Sequence, residues 1–407
     1  MLKAYKYRLL PTKRQASYLD RNFGAVRFVW NQLVANFNAY NTDAHIAKLS
    51  EKQIKDEHEF LDEVIAYALQ QKRTDFMETC KQYFNKRRKT KIGRMKFKKR
   101  GVCNDSFRIP GQAIGYSNGI DFDAQRIKVP KMGKVKVVID RRFEGELRSI
   151  TISKTKTNGY YVSCLVETEI KHKPKTGREV GLDLGLTDLL ITSDGVKFQN
   201  PKFFRETQAE LAKAQRHLSH KKKGSNRRNK QKVKVAKIRQ KITRQRNWYY
   251  HNVTTHLVNT YDSIFVEALN VKGMVKNRKL SKSIQDVAWS SLVTMLAYKS
   301  KWYGRDFHKI DRFYPSSKTC HVCKERTDLS LNDRIWTCLT CHTLHDRDVN
   351  AAHNILLQGR LELYGVVDDE SVESPDYSRR EDVRPSDLSK ADFVEAISDF
   401  IDFYKVA

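Results

Sequence analysis

Polar and apolar positions alternate along LKAYKYRLL (2–10), with Tyr5, Tyr7 and Leu9 on one side. A period of two predicts a short strand, ended here by Pro11. The period then changes: from Arg14 to about Phe84 apolar residues such as Leu19, Phe23, Val26, Val29, Trp30 and Leu33 recur at helical spacing, with no proline among them. Between about Ser106 and Ile170 the strand period returns, with turn signals at SNG (117–119) and TNG (157–159). Residues 148–170 predict a hairpin with a tight two-residue turn at Asn158-Gly159, a pair that tolerates positive φ. The strand at 2–10 has no neighbour in the helical region, so it is expected to pair with these later strands, which makes the helices an insertion into a β-rich module.

Residues 171–179 have linker composition, and VGLDLGLTDLLITSDGVKF (180–198) predicts two apolar strands joined at SDG. Two more strands are predicted at SIFVEAL (263–269) and DFHKIDRFY (306–314), separated by a helix over residues 288–304. A last helix is predicted over DVNAAHNILLQG (348–359). Between these strand pairs, residues 211–261 hold fifteen Lys or Arg and no Asp or Glu, beside an apolar helical stripe of Val235, Ile238, Ile242, Tyr249, Val253 and Leu257. Gly and Ser within HKKKGSNRRNK (220–230) break that stripe, which predicts a helical hairpin with a basic tip.

Charge changes the picture. The 407 residues carry 77 Lys and Arg against 47 Asp and Glu, a formal charge of +30 that calls for a polyanionic partner. From Glu362 to Ala407 the balance reverses, with 13 acids to 5 bases. The N-terminus lacks the apolar core of a signal peptide, and no apolar run of about 18 residues could span a bilayer, so a soluble intracellular protein with no membrane partner is expected. Four of the seven cysteines fall in one window and three are scattered, a pattern that suits a reducing compartment.

That window holds Cys320-x-x-Cys323 and Cys338-x-x-Cys341, four thiolates at the spacing of a zinc ribbon. His321, His342 and His345 lie beside them, but four thiolates already close a tetrahedron. Each pair is followed by Lys324 or His342, where a glycine would ease the knuckle's positive φ.

Asp183, Glu267, Asp346 and Asp348 taken singly read as strand-end or helix-cap acids. Taken together, an acid at the centre of a first strand, one at the end of a later strand and one in the first turn of a last helix are what an RNase H-like nuclease needs. Its two divalent ions, roughly 4 Å apart, are held by shared carboxylates. Lys221, Lys222, Lys223, Arg227, Arg228, Lys230, Lys232 and Lys234 of the basic hairpin are candidate nucleic-acid contacts. Trp248, Tyr249 and Tyr250 stand at positions that suit either base stacking or core packing.

The segments GLDLGLTD, VEALNVKGM, LAYKSKWYG, YPSSKTCHVC and HDRDVNAAHNI occur in that order, after YKYRLLPTKRQASYLDRNFGAVRFVWN near the start. Over roughly residues 2–360 the chain resembles the TnpB proteins of bacterial and archaeal transposons, RNA-guided DNA endonucleases related to type V CRISPR effectors. The resemblance implies an α+β multidomain protein: a wedge β-barrel (1–12 and 100–172) split by a helical recognition insertion (13–99), then a RuvC-type nuclease domain of RNase H fold (173–315 and 345–360). Within the nuclease domain it places the basic hairpin (203–260), and it adds a zinc-binding insertion (316–344) and an acidic tail (361–407).

It further implies Asp183, Glu267 and Asp348 as catalytic acids for two magnesium ions, with Asp346 capping the helix or supporting the site. Zinc would be structural, held by Cys320, Cys323, Cys338 and Cys341. The implied partners are a guide RNA derived from the transposon end and double-stranded target DNA, bound by a monomer in the bacterial or archaeal cytoplasm. Two other readings stand beside it, a nuclease-inactive RNA-guided repressor and an unguided zinc-ribbon nucleic-acid-binding protein. In the tail, Phe393, Ile397, Phe400, Ile401 and Tyr404 predict one apolar face of an acidic helix that could shield a nucleic-acid groove.

Overall fold

The computed structural model describes residues 1–40, 49–85, 87, 93–330, 333–365 and 382–383. The tail helix expected near Phe393 lies outside them. The chain divides into two units, Met1–Glu169 and Ile170–Ala407.

In the first unit, strand β1 (Leu2–Leu10) buries Tyr5, Tyr7 and Leu9, as its alternation requires. Helix α1 (Lys13–Tyr40) buries Leu19, Phe23, Val26, Val29, Leu33, Val34 and Phe37 along one face. Helix α2 (Glu51–Asp56) starts at a capping box in which Ser50 and Gln53 satisfy one another's amides. The start of α3 (Ala66–Phe84) is held differently: the buried Asn22 carboxamide of α1 accepts from the Ile65 amide at 3.0 Å.

Six strands follow: β2 (Asp105–Pro110), β3 (Ile120–Asp121), β4 (Arg126–Val129), β5 (Gly133–Val138), β6 (Glu146–Lys154) and β7 (Tyr160–Glu167). With β1 they form a seven-stranded sheet in the order β2-β6-β7-β1-β5-β4-β3, every pairing antiparallel. The first strand therefore joins strands that lie beyond the helices in sequence. Among the described residues β2 and β3 are both edges, so the expected barrel is a half-barrel.

The turn between β6 and β7 is also wider than expected. Five residues separate the strands, closed by the Thr155 amide on the Gly159 carbonyl at 2.9 Å. Asn158 adopts positive φ (64°) and Gly159 does not. The Thr155 hydroxyl explains the extra residues, since it accepts from the Gly159 amide and stabilises a longer loop.

In the second unit, β8 (Glu179–Asp183), β9 (Asp188–Thr192) and β10 (Lys197–Gln199) replace the two predicted strands, because Leu184–Thr187 already makes a turn before SDG makes the next. Helix α4 (Phe203–Ser219) and helix α5 (Asn226–Thr260) form the basic hairpin around Leu211, Ala214, Val235, Ile238 and Ile242. Strand β11 (Ser263–Glu267), helices α6 (Val271–Met274), α7 (Ser281–Val287) and α8 (Trp289–Tyr303), and strand β12 (Asp306–Ile310) complete the layer.

A small hairpin of β13 (Ile335–Thr337) and β14 (Leu344–Asp346) leads into helix α9 (Arg347–Tyr364). The main sheet runs β12-β11-β8-β9-β10, and the two-residue strand β15 (Asp382–Val383) adds to the β10 edge. Strands β12, β11 and β8 are parallel, whereas β8, β9 and β10 pair antiparallel.

Candidate active site and metal centre

Parallel pairing sets Leu182 of β8 opposite Val266 of β11, so Asp183 and Glu267 are the next residues on neighbouring strands at one end of the sheet. Neighbouring strands lie about 4.8 Å apart, which makes the two acids close neighbours. Asp183 thus ends its strand rather than occupying the centre as expected, because the turn at Leu184 begins at once.

The third acid arrives on a helix. Helix α9 lies against β8 where Gly181 has no side chain, and against β11 where Gly359 leaves room for the Phe265 ring. That close approach brings the first turn of α9, with Asp348, to the same sheet end. Burial, then the charges of Asp348 and Glu267, push the Asp183 carboxyl up to about 7, partly opposed by the Leu184 amide and Arg347. Burial also raises Glu267. The structure therefore brings the three sequence-predicted acids together.

Asp346 has a separate task. One of its oxygens accepts from the amides of Asp348 (3.1 Å) and Val349 (3.3 Å), capping α9, and the other accepts from Lys197 at 2.7 Å. Asp348 is held from the hairpin: Arg334 Nη1 lies 3.1 Å from both of its carboxylate oxygens. Sequence reasoning missed Arg334, since nothing in NDRIWTC separates it from a solvated arginine.

The Sγ atoms of Cys320, Cys323, Cys338 and Cys341 all lie within 4.8 Å of one another, with Cys320–Cys341 at 3.6 Å and Cys323–Cys338 at 3.5 Å. A tetrahedron with zinc–sulfur bonds of about 2.3 Å has edges of about 3.8 Å, so the four thiols fit zinc.

Each pair sits on its own knuckle with matching bonds. Cys320 receives the Lys324 amide (3.0 Å) and donates to Glu325 (2.9 Å), while Cys338 receives the His342 amide (3.0 Å) and donates to Thr343 (2.9 Å). Lys324 (φ 64°) and His342 (φ 55°) adopt the left-handed backbone without glycine. The Thr343 hydroxyl and amide hold Cys341 down at about 6, whereas burial pushes Cys320 up to about 12. Buried His345 places Nε2 3.1 Å from Cys320 Sγ, beside the sulfur cluster rather than in place of a cysteine.

Asparagines tie this centre to α9. Asn350 donates to the Thr319 carbonyl at 2.8 Å and accepts from the His321 amide at 3.0 Å, and Asn354 donates to the Ser316 carbonyl at 2.8 Å. All of these residues are buried.

The basic hairpin divides by role. Lys221, Lys222 and Lys223 lie in the loop at its tip, and Arg227, Lys230, Lys232 and Lys234 lie in the first turns of α5. Arg228 is spent on structure, donating to the Leu218 and Lys221 carbonyls at 2.7 and 2.8 Å. Tyr249 and Tyr250 are core residues, with hydroxyls on the Gln199 and Val287 carbonyls, which rules out base stacking by them; Trp248 packs at the edge of the same core.

A second basic surface was missed. On the outward side of β4 and β5, Arg126 faces Lys136 and Lys128 faces Lys134 in direct cross-strand register. Asp121 of β3 stands opposite Arg126 and 3.9 Å from Lys134, which leaves four cations to one acid on this face, a surplus that suits a polyanion. The alternation RIKV and KVKV carried that signal.

Residues 161–278 match a family profile described as "Probable transposase" (OrfB_IS605), and residues 289–355 match the "Cas12f1-like, TNB domain" profile. Residues 1–43 match a "Helix-turn-helix domain" profile, although 2–10 form a strand and 13–40 a single helix. A Streptomyces pristinaespiralis protein named for RNA-guided DNA endonuclease activity is 38% identical, over 88% of this chain and 89% of its own length. InsQ of Escherichia coli K12, named for the same activity, is 30% identical over 88% and 92%. The fold resembles the protein in a Cas12f1–sgRNA–target DNA complex, with a TM-score of 0.53 and 13% identity over 87% of this chain and 98% of that one.

Proposed function

The chain belongs to the TnpB family of RNA-guided DNA endonucleases, and from that premise we propose that it hydrolyses a phosphodiester bond of target DNA selected by a guide RNA. The convergence of Asp183, Glu267 and Asp348 carries the reading. Carboxylate oxygens are hard donors suited to magnesium, and a buried Asp183 whose ionisation is opposed by the charges of Glu267 and Asp348 makes a site that a divalent cation would neutralise. Two magnesium ions would supply the activated water and stabilise the leaving oxygen. The chain's own part is positional: β8 and β11 fix Asp183 and Glu267, α9 delivers Asp348, and Asp346 secures the start of that helix.

The strand order β10-β9-β8-β11-β12, antiparallel then parallel, supports an RNase H-like, RuvC-type nuclease domain over residues 173–315 and 345–360, with 316–344 as its zinc-ribbon insertion. The half-barrel supports a wedge domain over 1–12 and 100–172, with 13–99 as a recognition insertion. In this division base pairing reads sequence, while the protein reads a short motif beside the target. The tip lysines and the outward face of β4 and β5 offer charge for guide RNA from the transposon end. Among the described residues no helix is long and apolar enough to cross a membrane.

The test is expression with the native downstream DNA, sequencing of the co-purified RNA, and assay of the complex on matched DNA with magnesium. Cleavage is expected, and Asp183→Ala should abolish it while leaving target binding intact. Wild-type complex that binds matched DNA without cutting it would favour the repressor reading instead.

A further inference from the structure

Asp348 and Asp183 are not equivalent in this structure. Asp183 faces the other two acids, whereas Asp348 has a cation in place already. The contact has a specific form: a single nitrogen, Nη1 of Arg334, stands 3.1 Å from Oδ1 and 3.1 Å from Oδ2. An atom equidistant from both oxygens lies on the edge of the carboxylate that a chelated metal ion would use.

Arg334 is placed by the hairpin, not by the helix that carries Asp348. Its carbonyl accepts from the Arg347 amide at 2.8 Å, Arg347 Nη1 reaches back to the Ser330 carbonyl at 2.7 Å, and Ile335 next to it begins β13. The side chain of Arg334 is 59% exposed and that of Asp348 is 23% exposed. An ion pair with one partner so accessible is weak and can be displaced.

We propose that Arg334 is a resident counter-cation of the nuclease site, occupying the chelating edge of Asp348 until a divalent ion displaces it. The zinc-bound hairpin thereby raises the divalent-ion concentration at which the site fills. In the ion's absence it also keeps Asp348 paired beside two other acids. This rests on the reading of Asp183, Glu267 and Asp348 as ligands of a divalent metal.

The test is a titration of the zinc-loaded full chain with Mn²⁺, followed by electron paramagnetic resonance at low salt, with Asp183→Asn as the baseline for ions bound elsewhere. Arg334→Gln is expected to bind Mn²⁺ about three- to five-fold more tightly than wild type, the size expected for releasing one exposed ion pair. Zinc content and melting temperature are measured alongside. Should the glutamine variant lose zinc or fold, Arg334→Met keeps the apolar stem and carries the same expectation.

Equal or weaker binding in a folded, zinc-loaded variant overturns the proposal while leaving the metal site standing. Binding that Asp183→Asn does not alter in any chain overturns the metal site itself, and the proposal with it.

Discussion

Gly181 of β8 lies directly beneath the Ala352 carbonyl of α9, so close that a Cβ on the glycine would stand 2.0 Å from that oxygen and 2.6 Å from the Leu356 amide nitrogen. Both are backbone atoms and neither can rotate aside. Gly181→Ala must therefore push the helix off the strand, at a cost of about 1–3 kcal/mol for an overpacked core. A lower melting temperature is expected, together with reduced cleavage at temperatures where the variant remains folded, because Asp348 moves with the helix. Thermal melts and cleavage rates measured together check this; a variant that melts early yet cuts at the wild-type rate would separate helix position from activity.

Removing zinc should act on cleavage more than on guide binding. Asn350 and Asn354 bond to the chain entering the first knuckle, so loss of the Cys338 thiolate reaches the helix that carries Asp348. Cys338→Ser is expected to lose zinc and to cut about 100-fold more slowly, the scale of a misplacement near 1 Å at a reacting centre. Metal analysis and a guide-RNA binding assay on the same preparation check it.

Asp262 provides a pH signature. Burial pushes its carboxyl up, but the Thr176 and Gly177 amides and buried Arg305 outweigh that and hold it below the usual carboxylate range. A depressed folded value gives stability that is fully present above the unfolded pKa near 3.9 and is lost as pH falls through the folded value. Asp262→Asn is expected to cost about 3 kcal/mol at pH 7, since Arg305 is left buried without its partner. Its deficit should shrink in melts taken below about pH 4.

Lys136→Glu should change stability and binding in opposite directions. Opposite Arg126 a glutamate replaces a like-charge pair with an attractive one, worth roughly 0.5 kcal/mol to the sheet. The same change removes positive charge from the outward face, so guide-RNA affinity is expected to fall and the slope of its salt dependence to become shallower. Melts and salt-dependent binding on one preparation decide it.

Part of the candidate site is legible because metal chemistry demands particular side chains. Asp183, Glu267 and Asp348 take their assigned role from the family resemblance, which also separates Asp348 from Asp346, but thiolates at paired spacing suit zinc, and Cys320, Cys323, Cys338 and Cys341 were nameable from the chain alone. Residues defined by what a distant segment brings to them were not. Arg334 resembles any surface arginine until the hairpin sets it against Asp348, and Gly181 resembles a flexible strand glycine until α9 covers it.

Tyr249 and Tyr250 show the same limit from the other side. Helical spacing left stacking and packing equally open, and only the carbonyls of Gln199 and Val287 assign their hydroxyls to the core. The turn after β6 is wider than its Asn158-Gly159 dipeptide predicts, because the Thr155 hydroxyl accepts from the Gly159 amide.

Lys324 and His342 hold left-handed backbone at a cost of roughly 1–2 kcal/mol each, which glycine would avoid. Without metal, only the knuckles' own hydrogen bonds oppose that strain, and unravelling there would travel through Asn350 to the first turn of α9. Zinc supply would then act as a maturation check on newly made protein: a chain that has not captured its metal lacks a properly seated Asp348 and is a blunt blade.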